Sequence, residues 1–201
     1  NNEWASLTGY HPIKFVNVSQ MVLLHQGYYP AIVLRYAEAL LNFAEAQAEL
    51  GLITQADLDM SINLLRDRVD MPHMDITSIP VDPRYVNDGV SPLIAEIRRE
   101  RRVELYSEGF RYDDLRRWKQ GHKLNSPDLG IRWDQDMRET IDPEGQLDVS
   151  FELDAETGNL YISPNKENDL SNPVFEEKHY LWPIPVSARS ENPALGQNPG
   201  W

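Results

Sequence analysis

A mainly α-helical fold, with long irregular loops and one small β-hairpin, is predicted by three observations. Two stretches, 30–50 and 91–108, carry apolar residues at helical spacing between recognisable start and stop residues. A third, 54–69, opens on a capping pair and continues as a single apolar stripe. One segment, 147–163, alternates apolar and polar residues on either side of a turn.

Residues 1–28 read as an extended entry segment. Tyr10–Val18 supplies β-branched and aromatic residues after a Thr8-Gly9 turn. The first helix is expected from Pro30, suited to a first helical turn, to Leu50, with Gly51 as the stop. Arg35, Glu38, Asn42, Glu45 and Glu49 project as one narrow polar stripe, so the helix is expected to pack on two sides. Thr54 with Asp57 starts the second helix, whose Leu58, Ile62, Leu65 and Val69 share a face. The short connection predicts an antiparallel helical hairpin over 30–69.

A Pro/Asp/Gly loop fills 70–90. Ser91-Pro92 then caps a third helix, to about Glu108, and a fourth follows at Tyr112–Lys119, giving a helix pair over 91–120. Helix pairs recur as in tetratricopeptide (TPR) arrays: Tyr36, Ala39, Leu40 and Phe43 keep that spacing, but the second helix does not. Residues 122–180 form a loop region containing the hairpin, with strands at Leu147–Leu153 and Leu160–Ser163 around Asp154–Asn159. The proline-punctuated tail, 181–201, is expected to be fixed by side-chain packing, with Trp118 and Trp182 as core anchors. All of this is read as one domain over 1–201.

The chain has 201 residues, 41% hydrophobic and 25% charged, ordinary values for a globular protein. Its net charge of −13 repels phosphate backbones and anionic lipid, which argues against nucleic acid as a partner. With no cysteine, disulfides and thiolate metal sites are excluded. Aliphatic runs such as Met21–Leu24 fall far short of the roughly 20 residues that span a bilayer. The chain opens at Asn1-Asn2-Glu3-Trp4 without a methionine, as expected of a mature protein or a fragment.

No catalytic residue, metal site or cofactor loop is predicted. The five histidines are scattered without HxxxH or HExxH spacing. Asp134 and Asp136 lack the glycine and distal glutamate of a calcium loop. The third helix does bring Arg101, Glu104 and Glu108 onto its apolar face. Two carboxylates one turn apart could serve as a glycosidase pair. Arginines beside them lower carboxylate pKa values, which favours a structural ion-pair network of Arg101, Glu104, Glu108 and Arg111 instead. Sugar rings stack on indole and phenol faces, so the loop aromatics Trp133, Trp4, Tyr85 and Tyr161 are the candidate ligand-binding residues.

Three segments resemble the C-terminal region of the SusD/RagB family: Tyr29–Ala46, Ile97–Trp118 and Tyr180–Trp201, with Thr8–Phe15 similar to the strand before the first helix. Their order and spacing match across nearly all of the chain, and the third motif is expected to be the true C-terminus. The resemblance implies a SusD-like α-solenoid scaffold of TPR-like helix pairs under long loops. It implies a surface-exposed lipoprotein of the outer membrane that binds an oligosaccharide, or a peptide in some branches, without cleaving it. It also implies delivery to a SusC-like TonB-dependent transporter. Complete members are more than twice this length and begin at a lipidated cysteine. Membrane association would therefore come only through an anchor not in this chain, and much of the ligand site would lie outside it. The alternatives from the residues alone are a TPR-type protein-interaction scaffold and a carboxylate-based glycoside hydrolase.

Overall fold

The computed structural model describes residues 6, 8–15, 32–126, 129–146, 149–154, 157–164 and 173–201. The chain divides into two compact units, Asn17–Asp114 and Asn1–Val16 with Leu115–Trp201. It is mostly helical, with one two-stranded sheet among the described residues. Among the described residues no helix is long and apolar enough to cross a membrane.

The first unit contains α1 (Tyr36–Glu49), α2 (Gln55–Asp59), α3 (Ile62–Asp67) and α4 (Pro92–Glu104), with a 3-10 segment at Pro83–Asp88. Its core draws Leu40, Leu41 and Ala44 from α1, Leu58 from α2, Ile62 and Leu65 from α3, and Ile97 from α4. Small residues on α1, Ala37, Ala44 and Ala48, let neighbouring elements approach closely. The caps are as expected. Thr54 and Asp57 bond reciprocally at the start of α2, and Ser91 accepts from the Ile94 amide ahead of Pro92.

Four expectations are corrected here. First, α1 begins at Tyr36, because Arg35 is extended (φ −126°, ψ 146°) and its side chain is engaged by distant carboxylates. The β-branched pair Ile32-Val33 before it also favours extended chain; Pro30 lies outside the described residues. Second, α1 buries one face only, and Tyr36 is 73% exposed. Third, the second helix is two helices. Ser61 adopts φ −129°, ψ −88°, and its hydroxyl donates to the Asp57 carbonyl, competing with the helical ladder. Val69 consequently leaves the stripe and is exposed. Fourth, α4 stops at Glu104, where a turn through Ser107 (φ +64°) leads directly into α5 (Phe110–Arg117).

The 70–90 loop contributes to the core, which its composition did not announce. Met74 is 2% exposed, and the fully buried Asn63 both accepts from its amide (2.7 Å) and donates to its carbonyl (3.2 Å). One side chain thus supplies the hydrogen bonds that a neighbouring strand would otherwise give.

In the second unit, β1 (Phe151–Leu153) and β2 (Leu160–Ile162) pair antiparallel, Phe151 opposite Ile162. Leu147 and Asp148 lie outside the described residues. Residues 130–133 run along β2: Gly130 N donates to Ile162 O (2.7 Å) and Trp133 N to Leu160 O (2.7 Å). Gly130 is needed there, since a Cβ would lie 2.5 Å from the Thr8 carbonyl oxygen. Gly121 is equally constrained, with the Phe175 ring 2.1 Å from where its Cβ would be. Two short helices were not predicted, α6 (Gln135–Ile141) and α7 (Val186–Glu191). Each is too short to show periodicity. Trp182 is 64% exposed and lies against Arg116, 5.0 Å from its ring, so it is a surface residue and not a core anchor.

Candidate functional site

In the second unit, α6 and the hairpin enclose an open cleft of about 410 Å³, within the usual range for small-ligand sites. Trp133, Phe151 and Leu160 line its apolar side, and Gln135, Arg138 and Asp142 its polar side. Trp133 is positioned by its amide bond to Leu160 and by the Phe151 ring, 5.5 Å away at 39°. Asp134 caps α6 by accepting from the Met137 amide (3.0 Å) and also pairs with Arg132 (2.7 Å). The Met137 amide first, and then Arg132, holds its carboxyl below the usual range. The Arg138 guanidinium lies over Gly145, Nη2 3.8 Å from the glycine's Cβ position. Asp142 accepts from the Gln146 amide (2.6 Å). This arrangement can stack a ring face on indole while a fork of donors, an amide and a carboxylate meet its hydroxyl groups.

Of the aromatic candidates, Trp133 lines the cleft. Tyr161 is on β2 between Leu160 and Ile162 and so faces away from the side that Leu160 presents. Tyr85 belongs to the other unit, in the 3-10 segment Pro83–Asp88. Trp4 lies outside the described residues. Phe151, Gln135, Arg138 and Asp142 were not singled out in the sequence. The signal available was Asp134 as an N-cap, which would have placed Arg138 and Asp142, four residues apart, along one side of a short helix.

The charged residues of α4 meet the polar stripe of α1. Arg35 donates to both oxygens of Glu108 and to Glu104 Oε1 (2.8 Å), and Arg68 donates to Glu104 Oε2. Its hydrogen bonds to Glu108 hold the Arg35 guanidinium above its ordinary pKa, against the effect of burial. All four carboxylate oxygens of Glu104 and Glu108 therefore accept from guanidinium groups, the geometry of a clamp and not of a free acid–base pair. Arg101 turns away from Glu104, donating to Asp114 (2.8 Å) and Asn42 (2.8 Å), because those partners lie on its side of α4. Arg98 reaches Glu49, and the buried Arg66 reaches Glu96, Glu100 and the Pro72 carbonyl. Arg111 is not seen bonded to Glu104 or Glu108 among the described residues; it lies within electrostatic reach of Asp114, which Arg101 bonds directly. No group of three or more His, Asp or Glu suited to a metal occurs among the described residues.

Comparison with known proteins bears on the whole length of the chain. The sequence profile of the SusD family matches residues 1–201. A SusD-like protein of Formosa agariphila is 36% identical over 104 residues, covering 52% of this chain and 20% of its own length. A solved SusD-like protein from Bacteroides fragilis superposes with a TM-score of 0.54 at 27% identity, over 85% of this chain and 26% of that one. The selenomethionine form of BT4246 gives a TM-score of 0.59 at 28% identity, over 88% and 25%. The chain thus spans about a quarter or less of the length of these relatives.

Proposed function

The chain belongs to the SusD family, and on that premise we propose that it is part of a non-enzymatic cell-surface protein that binds an oligosaccharide. The ligand would pass to a SusC-like TonB-dependent transporter in the outer membrane. The observation that carries the binding role within this chain is the Trp133 cleft, where an indole and a phenyl ring stand beside Gln135, Arg138 and Asp142. An aromatic wall with few convergent polar groups suits a sugar, whose ring has an apolar face and a polar rim. The clamped state of Glu104 and Glu108 supports a structural role for that pair and disfavours the hydrolase reading.

A glycan array followed by titration calorimetry tests this. Trp133→Ala should weaken binding of the best glycan about tenfold, roughly 1.4 kcal/mol, without lowering Tm appreciably. An array on which the chain binds nothing would remove the cleft as a site. New reducing ends after incubation with a bound glycan would overturn the binding-only reading.

A further inference from the structure

Helix α1 carries apolar side chains on two faces, and only one of them is covered. Ala37, Leu40, Leu41, Ala44 and Ala48 lie in the core of the helical unit. The polar residues Asn42 and Glu49 reach α4, where Asn42 accepts from Arg101 (2.8 Å) and Glu49 from Arg98 (2.8 Å). The side that remains is not polar. Tyr36, Ala39, Phe43, Ala46 and Leu50 follow at intervals of three, four, three and four residues, the spacing that keeps side chains in one line along a helix. Tyr36 is 73% and Leu50 69% exposed, Ala39 and Ala46 are exposed as well, and Phe43 is half-buried.

Large and small residues alternate along this stripe, so Ala39 and Ala46 leave holes between the side chains of Tyr36, Phe43 and Leu50. That is the form of a helix–helix seam, in which the knobs of one helix enter the holes of the other. An apolar line of this length facing water marks a surface that gains from being covered. The occupant is indicated by length: this chain spans only about a quarter of each solved relative, so most of their polypeptide has no counterpart in it. We propose that the Tyr36–Leu50 stripe seats a helix from a part of the polypeptide outside these 201 residues. That helix would pack through an apolar face with bulky side chains opposite Ala39 and Ala46. The surface is then an internal seam that completes the helical unit, and it does not depend on the Trp133 cleft or its ligand.

The longer polypeptide encoded by the same gene, prepared beside the 201-residue chain, tests this with Ala46→Glu and Ala46→Cys. In the chain alone, Ala46→Glu places a charge in water and should move Tm by less than about 2 °C. In the longer polypeptide the same charge enters the seam and should lower Tm by several degrees. Should that variant fail to fold, Ala46→Cys supplies the second readout. The chain has no cysteine of its own, so the introduced thiol reports alone in it, and in the longer polypeptide it is read as the excess over the parent. Its labelling should be about tenfold or more slower in the longer polypeptide than in the chain, because only local opening of the seam exposes it. Equal labelling in the two preparations, or equal tolerance of Ala46→Glu, would overturn the proposal. So would a dimer of the longer polypeptide that Ala46→Glu splits into folded monomers, since the occupant would then be a second copy. A gene that encodes nothing beyond these residues would overturn it also.

Discussion

In the unit built from residues 17–114, long side chains meet mostly one another: Arg35 with Glu104 and Glu108, Arg66 with Glu96 and Glu100, Arg101 with Asp114. In the other unit they meet mostly backbone. Gln197 holds both the amide and the carbonyl of Ile184, Asn198 donates to Trp182 O, and the Trp201 indole donates to the carbonyls of Lys178 and Leu181. Asn125 accepts from the Phe175 amide, and Asp134 from that of Met137. The difference follows from secondary structure. Helices satisfy their own peptide groups, so charged side chains are free to fix how one helix sits on another. Irregular chain leaves peptide groups open, and amide and carboxylate side chains are recruited to close them.

Three changes would break or sharpen that contrast. Arg66→Ala removes the shared partner of two buried carboxylates and should cost about 3 kcal/mol or more in urea unfolding. A cost under about 1 kcal/mol would mean that Arg99, which also bonds both carboxylates, suffices alone. The second change is acid. The Glu96 carboxyl is held below its ordinary value of 4.5, first by its hydrogen bond from Arg99. Its contribution is therefore complete above 4.5 and lost as pH falls through the lower folded value. Glu96→Gln should flatten the acid limb of the Tm–pH profile, and an unchanged limb would assign it to other carboxylates. The smallest effect is expected in the backbone-tied unit. Trp182→Ala should cost about 0.5–1 kcal/mol, the value of an exposed cation–π contact. A cost of several kcal/mol would show the indole to be covered.

How much was legible in the sequence depended on how far each residue's partners lie along the chain. Thr54, Asp57 and Ser91 announce their helices because their bonds close within three residues. The start of α1 was misplaced because Arg35 is held by partners 69 and 73 residues away. The break at Ser61 was local but hidden, since a serine in mid-helix is compatible with either outcome. Met74 looked like loop because its partner, Asn63, is a polar residue on a helix. At the cleft, Trp133 could be picked out as a loop aromatic. Its neighbours could not, because α6 is seven residues long and Phe151 arrives by strand pairing.

The clamp on Arg35 also has a bearing on the order of events as the chain is made. The residue that fixes where α1 starts emerges well before Glu108, 73 positions later, which it needs as a partner. Until that turn exists, nothing in the clamp distinguishes Tyr36 from Leu34 as the first helical residue. The extended preference of Ile32-Val33 is local, and the clamp can add its hold on the helix end only once Glu104 and Glu108 are in place. The boundary of the first helix is thus tied to a turn that lies 73 positions later in the chain.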